Sequence, residues 1–219
     1  MIRHAVKGFE GLKYSKKNYL DVKMDLATVL GKLGKEREAE LVVQEALEIA
    51  KTLEDPGPSV LRCQCRLASI LYSGGKYAEA EGVFRSVLEA RERLLGLEHP
   101  ATISVMDRLA STLHYLQRFR EAVELSKQCL GLRETVLGPC HVQTLDTIYN
   151  LADSLETQER YAEAAVYMQR AYEGYKRIWG PVHSETTDAA RRLDSILRKA
   201  NGSCSDNAGD SKGKGNLNV

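Results

Sequence analysis

The sequence is poor in aromatic residues, which fill 6% of its 219 positions, and poor in proline, with five. It also lacks an excess of either charge: 31 basic and 30 acidic residues leave a formal net charge of +1. That balance removes any bulk attraction to nucleic acid or an anionic membrane and leaves only local patches. No uninterrupted apolar run reaches the eighteen or so residues that a membrane-spanning helix needs. The first residues, Met1 to Lys7, lack the apolar core and cleavage site of a secretory signal. Five cysteines form an odd set without framework spacing, as expected of thiols in a reducing compartment, so a cytoplasmic location is expected. Cys63 and Cys65 stand two apart, a spacing that on a helix turns them away from each other and excludes a metal or redox pair.

What the sequence does have is a period. Asp25-Leu26-Ala27, Arg66-Leu67-Ala68, Arg108-Leu109-Ala110 and Asn150-Leu151-Ala152 align, with Arg192-Leu193-Asp194 one further step on. A second landmark keeps the same step of about 42 residues: Glu38-Ala39, Glu79-Ala80, Glu121-Ala122 and Glu163-Ala164. An aromatic stands two residues before the last three, at Tyr77, Phe119 and Tyr161. The third landmark is a joint: Leu95-Gly96-Leu97-Glu98-His99-Pro100, Leu137-Gly138-Pro139-Cys140-His141 and Trp179-Gly180-Pro181-Val182-His183. Three landmarks in one register define an internal repeat.

Each unit reads as two helices. Cys63, Leu67, Ile70 and Leu71 fall on one helical face, and Ala80, Val83, Phe84, Val87 and Leu88 on another. Gly74-Gly75 ends the first helix, and Pro100 sits at the start of a later one, where a missing N–H costs nothing. The small residues Ala68 and Ala80 are placed near the crossing of the pair. Such a hairpin cannot bury its own apolar faces and must stack on its neighbours. The expected architecture is all-α, a right-handed superhelical solenoid of antiparallel helix pairs with a C-terminal capping helix. Its divisions are a partial repeat over 1–16, repeats over about 17–57, 58–99, 100–141 and 142–183, the cap over 185–200 and a disordered tail over 201–219. His4 to Phe9 matches Arg170 to Tyr175, so the chain is expected to begin inside a repeat, either continued upstream or degraded to a cap.

These motifs, Leu-Gly-x-x-His-Pro-x-Thr, Leu-Ala and aromatic-x-Glu-Ala at a 42-residue step, resemble the tetratricopeptide repeats of kinesin light chains. Similar repeats occur in nephrocystin-like proteins and in the sensor arms of some nucleotide-binding receptors. The resemblance covers residues 1–200. It implies a groove that holds an extended peptide, often an acidic one, and a protein or peptide partner. Asn150 matches the asparagine of that family's usual Asn-Leu-Ala, whereas Asp25, Arg66, Arg108 and Arg192 replace it.

The residues themselves offer no catalytic constellation, metal site or cofactor loop, and an enzyme is not expected. His99, His141 and His183 recur once per repeat. Equivalent points on stacked hairpins lie about 8–10 Å apart or more, too far to share a zinc ion with ligand bonds of about 2.0–2.3 Å. They are expected to serve the joint by capping the next helix. His114 is placed on the surface or groove, and Trp179 in the core of a repeat junction. A polar stripe runs along the first helix of each pair: Asp21, Asp25, Thr28 and Lys32; Arg62, Arg66, Ser69 and Ser73; Ser104, Arg108, Ser111 and Tyr115; Asp146, Asn150, Asp153 and Thr157. A helix flanked by neighbours keeps one wet face, so this stripe is expected to line the groove. Two alternatives stand for its basic middle. Arg66 pairs with Asp25 and Arg108 with Asp146, or the arginines form a cradle for carboxylates. The expected peptide-binding residues are Arg62, Arg66, Arg108, Asn150 and Arg192. Function is read as a scaffold or adaptor for a peptide, probed against the alternative of a regulatory or sensor arm of a larger enzyme or receptor. Nucleic acid and membrane are not expected partners. The helix-crossing assignment has a direct test: Ala110→Leu should cost about 1–3 kcal/mol through overpacking, and an unchanged melting temperature would show the crossing to be misplaced.

Overall fold

The computed structural model describes residues 16–206, with side chains as far as Asn201. Among these residues there are nine α-helices and no strand. They are α1 (Lys16–Lys32), α2 (Glu36–Lys51), α3 (Pro56–Ser73), α4 (Tyr77–Leu95), α5 (Pro100–Tyr115), α6 (Phe119–Val136), α7 (Val142–Thr157), α8 (Tyr161–Trp179) and α9 (Ser184–Asp206). The all-α class and the two-helix repeat are as expected. The last helix is longer than its apolar pattern suggests, since it runs to Asp206 and not to Ala200. Residues 1–15 of the partial repeat expected over 1–16, and residues 207–219 of the tail expected over 201–219, lie outside the described residues.

Each pair is closed by one backbone pattern. Lys76 N–H donates to the Leu71 carbonyl at 2.9 Å and Gly75 N–H to that of Tyr72 at 3.1 Å. The same two bonds recur at Lys35 and Gly34, at Arg118 and Gln117, and at Arg160 and Glu159. They satisfy carbonyls that a helix end leaves without partners, and they force the first residue after the cap into the left-handed region. Gly34 (φ 68°) and Gly75 (φ 75°) adopt it without strain, while Gln117 (φ 60°) and Glu159 (φ 58°) hold the same conformation with a Cβ. Two residues on, the second helix opens at Glu36, Tyr77, Phe119 or Tyr161 according to the pair, and its first turn carries Glu38, Glu79, Glu121 or Glu163. Lys35, Arg118 and Arg160 pair with the glutamate three residues ahead, at 3.2, 2.5 and 2.7 Å. Lys76 reaches Glu40 of α2 instead, at 2.9 Å.

The joint between pairs is held from two sides. His99 and His141 cap α5 and α7, their Nδ1 atoms accepting from Ala101 N–H at 3.1 Å and Gln143 N–H at 3.2 Å. His183 departs from this role: its Nδ1 lies 2.7 Å from a Glu185 carboxylate oxygen and its ring stacks on Trp179. Arg91 donates to the Ala101 carbonyl at 2.5 Å, and Arg133, 42 positions on, donates to the Gln143 carbonyl and to Thr147 Oγ1. These arginines strap a second helix to the start of the next pair.

The molecule falls into two units, Met1–Leu125 and Ser126–Val219. In the first, α1 to α5 stack around Leu20, Ala27, Val43 and Cys63, then around Ala68, Phe84, Val87, Leu109 and Leu113. In the second, Leu145, Ile148, Leu151 and Leu155 of α7 meet Ala164, Met168 and Ala171 of α8, with Ala189 and Ile196 of α9; all are at most 2% exposed. Full burial of each such leucine or isoleucine contributes about 1.5–3 kcal/mol. The crossing alanines, Ala27 and Ala39, Ala68 and Ala80, Ala110 and Ala122, Ala152 and Ala164, are at most 3% exposed. A further close approach occurs at Gly174, where a Cβ would lie 2.3 Å from Leu145 Cδ2. Trp179 is not junction core: it is half-buried, stacked between Tyr175 (5.3 Å) and His183 (4.6 Å). Its counterpart Leu95 is 47% exposed, so this position faces outward.

The turn chemistry gives a stability prediction. A left-handed residue with a Cβ carries about 1–2 kcal/mol of strain, and glycine returns about 0.5–1 kcal/mol of that as chain entropy. Gln117→Gly should therefore stabilise by about 0.5–1 kcal/mol, and Gly75→Ala should destabilise by a similar amount. Chemical denaturation of the two variants checks both signs; a destabilising Gln117→Gly would contradict the turn assignment.

Candidate functional site

The polar stripe on the first helices stays wet: of its sixteen residues, from Asp21 to Thr157, none is buried. The stripe one residue later is where the core lies, with Leu26, Leu109 and Leu151 buried. The reason is geometric. Within each unit a first helix packs on its own partner and on a neighbouring helix pair, and the face left over meets water.

In the first unit this face opens into a cavity of about 530 Å³ between α1 and α3, lined by Asp21, Met24, Asp25, Arg62, Cys65, Arg66 and Ser69. Arg62 pairs with Asp21, both about half exposed. Of the two alternatives for the basic middle, the pair of Arg66 with Asp25 is not formed, and within the first unit neither Arg66 nor Arg108 makes an ion pair. Two guanidinium groups at equivalent positions on α3 and α5 thus stand without a carboxylate partner in their own unit. Beyond Arg108 lies an aromatic cluster: Tyr77 stacks on Tyr115 at 4.8 Å, and Tyr72 meets both edge-on at 5.4 and 5.5 Å. Burial, together with Tyr115 and Tyr77, holds the Tyr72 hydroxyl well above the usual phenol range, against the opposing pull of Arg108. His114 packs edge-on to Tyr115 and Phe119. Burial also raises the Cys65 thiol against the lowering pull of Arg91 and Arg66, which keeps it protonated and unreactive.

In the second unit the face carries different chemistry. Asn150 is exposed on α7, and its side-chain amide makes no hydrogen bond among the described residues. Arg192, expected to face a ligand, is ion-paired within its unit: it contacts Asp153 and lies 3.4 Å from Glu156 Oε2, while Lys199 reaches the other Glu156 oxygen at 2.6 Å. A cavity of about 450 Å³ is lined by Tyr149, Tyr175, Ser184, Glu185, Asp188 and Arg191. Tyr149 donates its hydroxyl hydrogen to Asp188 at 2.5 Å, and Tyr175 donates to Asp146 at 2.8 Å. The sequence reading placed Asp146 on the stripe but missed the two tyrosines. Tyr149 stands 42 residues after Asp107, in the register of Met24 and Cys65, and that register was the available signal.

Among the described residues no three His, Cys, Asp or Glu side chains converge as a metal site would require. No helix among them is long and apolar enough to cross a membrane. Cys63, Cys65 and Cys140 carry no disulfide, and Cys63 Sγ lies 3.7 Å from Met24 Sδ in the core.

The model of the tetratricopeptide repeat matches residues 59–135 and 104–177, more than half of the chain, which therefore belongs to the tetratricopeptide-repeat family. Repeats of this family generally act as protein–protein interaction scaffolds. Comparison with curated proteins gives no significant match. Among solved structures, the nearly identical repeats of a proposed kinesin light chain from Podosopora anserina share 22% identity at a TM-score of 0.75, covering 86% of this chain and 90% of that one. BtubC (BKLC) from P. vanneervenii shares 16% identity at a TM-score of 0.80, over 100% of this chain and 93% of that one. A signal-transduction ATPase from Pyrococcus horikoshii with a tetratricopeptide repeat sensor shares 14% identity at a TM-score of 0.67, over 89% of this chain but 28% of its own. These likenesses are of fold, the long-helix repeat of the kinesin light chain type.

The two tyrosines predict a pH response. Burial, and then the bond to Asp188, push the Tyr149 hydroxyl up from 10.0 to about 12, and Tyr175 is raised in the same way by burial and Asp146. A group that holds its proton more tightly when folded stabilises fully below its unfolded value and loses that contribution as pH climbs through its folded value. Stability should thus fall between about pH 10 and about pH 12. Tyrosinate absorbance followed alongside helical circular dichroism should show three tyrosines, Tyr72 in the first unit and Tyr149 and Tyr175 in the second, ionising only as the helices around them melt. Ionisation of every tyrosine near pH 10 with the helix intact would be the contrary result.

Proposed function

We propose that this protein is a scaffold or adaptor that binds an extended, acidic peptide along the polar stripe of its first helices. The observation that carries the reading is the pair of unpartnered guanidinium groups, Arg66 and Arg108, on adjacent repeats of the first unit. An arginine left without a counterion inside its own unit offers a planar fork matched to a carboxylate. Arg62, one helical turn from Arg66, joins them when a ligand carboxylate replaces Asp21. In the second unit, Asn150 offers both a donor and an acceptor to the main chain of a bound segment, and Arg192 becomes available when it leaves Asp153. Fold likeness to kinesin light chain repeats is consistent with this reading.

A second reading, the sensor or regulatory arm of a larger enzyme or receptor, is favoured by the likeness to the Pyrococcus horikoshii ATPase, of which only 28% is covered. The coding sequence of the full transcript separates the two, because an arm requires a fused catalytic domain.

Charge-assisted contacts contribute roughly 1.5–3 kcal/mol each when shielded and less when exposed. Arg66→Glu combined with Arg108→Glu should therefore weaken a short peptide bearing two or more Asp or Glu at least tenfold. Added salt should weaken the parent complex further. Calorimetric titration of parent and double variant checks this, and unchanged affinity in a variant of native helical content would move the site elsewhere.

A further inference from the structure

The cavity of the second unit carries an excess of carboxylates, where the Arg66 cavity balances two aspartates against two arginines, and we propose that it binds the guanidinium of an arginine side chain from a peptide ligand. Three carboxylates stand in or beside it, Asp146, Glu185 and Asp188, against one guanidinium, Arg191, and the His183 imidazole 2.7 Å from Glu185. Its hydroxyl donors are already committed: Tyr149 to Asp188, Tyr175 to Asp146 and Ser184 to Glu185. A carboxylate has about four acceptor positions, so these donors leave acceptor capacity unused. A ligand that fits must bring donors and positive charge and no acceptor, which is the description of a guanidinium or an ammonium. The planar fork of arginine matches carboxylates better than the point charge of lysine, and the two tyrosines supply aromatic walls for its flat face. A volume of about 450 Å³ leaves room for the whole side chain.

The cavity already holds an internal stand-in. Arg191 reaches Asp188 at 2.8 Å from three residues away on the same helix, and its side chain is 76% exposed. An exposed pair of this kind is worth little, so an incoming arginine can replace it at small cost. This inference rests on the second unit alone and is independent of the acidic-peptide reading of Arg66 and Arg108.

The single tryptophan of the chain, Trp179, stacks on Tyr175 in the wall of this cavity and makes a built-in reporter. A short peptide with two arginines, capped at both ends, is titrated into the full chain while tryptophan fluorescence is read, with the glutamate peptide of the same length as comparison. The arginine peptide should produce a saturable change and the glutamate peptide none at this reporter. Asp188→Asn, which can still accept from Tyr149, should weaken binding at least tenfold. Arg191→Ala should tighten it at least threefold, a direction that a merely structural arginine would not produce. Arg66→Glu with Arg108→Glu should leave it unchanged, so failure here and failure of the acidic-peptide reading are separate results. Equal responses to the two peptides, or Arg191→Ala that weakens or leaves binding unaltered, would overturn the proposal; native helical content is verified for each variant by circular dichroism.

Discussion

Two alanines per repeat, one on each helix, set the distance at which each hairpin closes. Because Ala68 and Ala80, and their counterparts in the other pairs, carry only a methyl group, the backbones approach until both methyls are fully covered. That closeness fixes the rotation of each helix about its axis. Leu109 and Leu151 then have no direction but inward, and the residue before each of them no direction but outward. A bulkier side chain at the crossing would separate the helices and rotate this pattern, so the wet stripe is a consequence of the crossing.

With the rotation fixed, the repeat acts as a frame on which chemistry varies at constant geometry. Asp21, Arg62, Ser104, Asp146 and Asp188 stand at one position of the frame, and Asp25, Arg66, Arg108, Asn150 and Arg192 stand one turn further on. Each unit opens a cavity between two of its first helices, at the same place in the frame. In the first unit, Arg62 is matched by Asp21 while Arg66 is left over. In the second, Tyr149 replaces the Met24 and Cys65 of that register, and its phenol settles on Asp188. Residue exchange at these positions therefore turns a cavity of balanced charge into an acidic one on the same helix-pair frame.

The period, the helix pairs, the turn at Gly75, the crossing alanines and the wet face were all legible in the sequence, because each is a local rule repeated every 42 residues. Repetition let a weak signal be read several times. What escaped was non-periodic or decided by side-chain reach. Gln117 and Glu159 take a backbone conformation that only alignment with Gly34 and Gly75 reveals. Trp179 aligned with leucines, yet its counterpart Leu95 turned out to be half exposed, so alignment carried the position and not the burial. Ion pairing was the least legible level: the pairs formed are Arg62 with Asp21 and Arg192 with Asp153, not Arg66 with Asp25. Helical register gives which residues are near, but a long side chain chooses among several near carboxylates by differences below about 1 kcal/mol.

That small difference is also what makes the wet face usable. Arg133 is 5% exposed and bonded to a carbonyl and a hydroxyl; removing its partners would strand a buried charge, at a cost of several kcal/mol. The arginines of the stripe sit at the other limit. Arg62, Arg191 and Arg192 hold carboxylates in partly hydrated pairs that water or a ligand can replace with little loss. A protein built to exchange partners needs its rigid charges in the joints and its replaceable charges on the open face. The two populations are divided in this way: Arg91 and Arg133 on second helices strap the joints, and Arg62, Arg191 and Arg192 on first helices sit in exchangeable pairs on the open face.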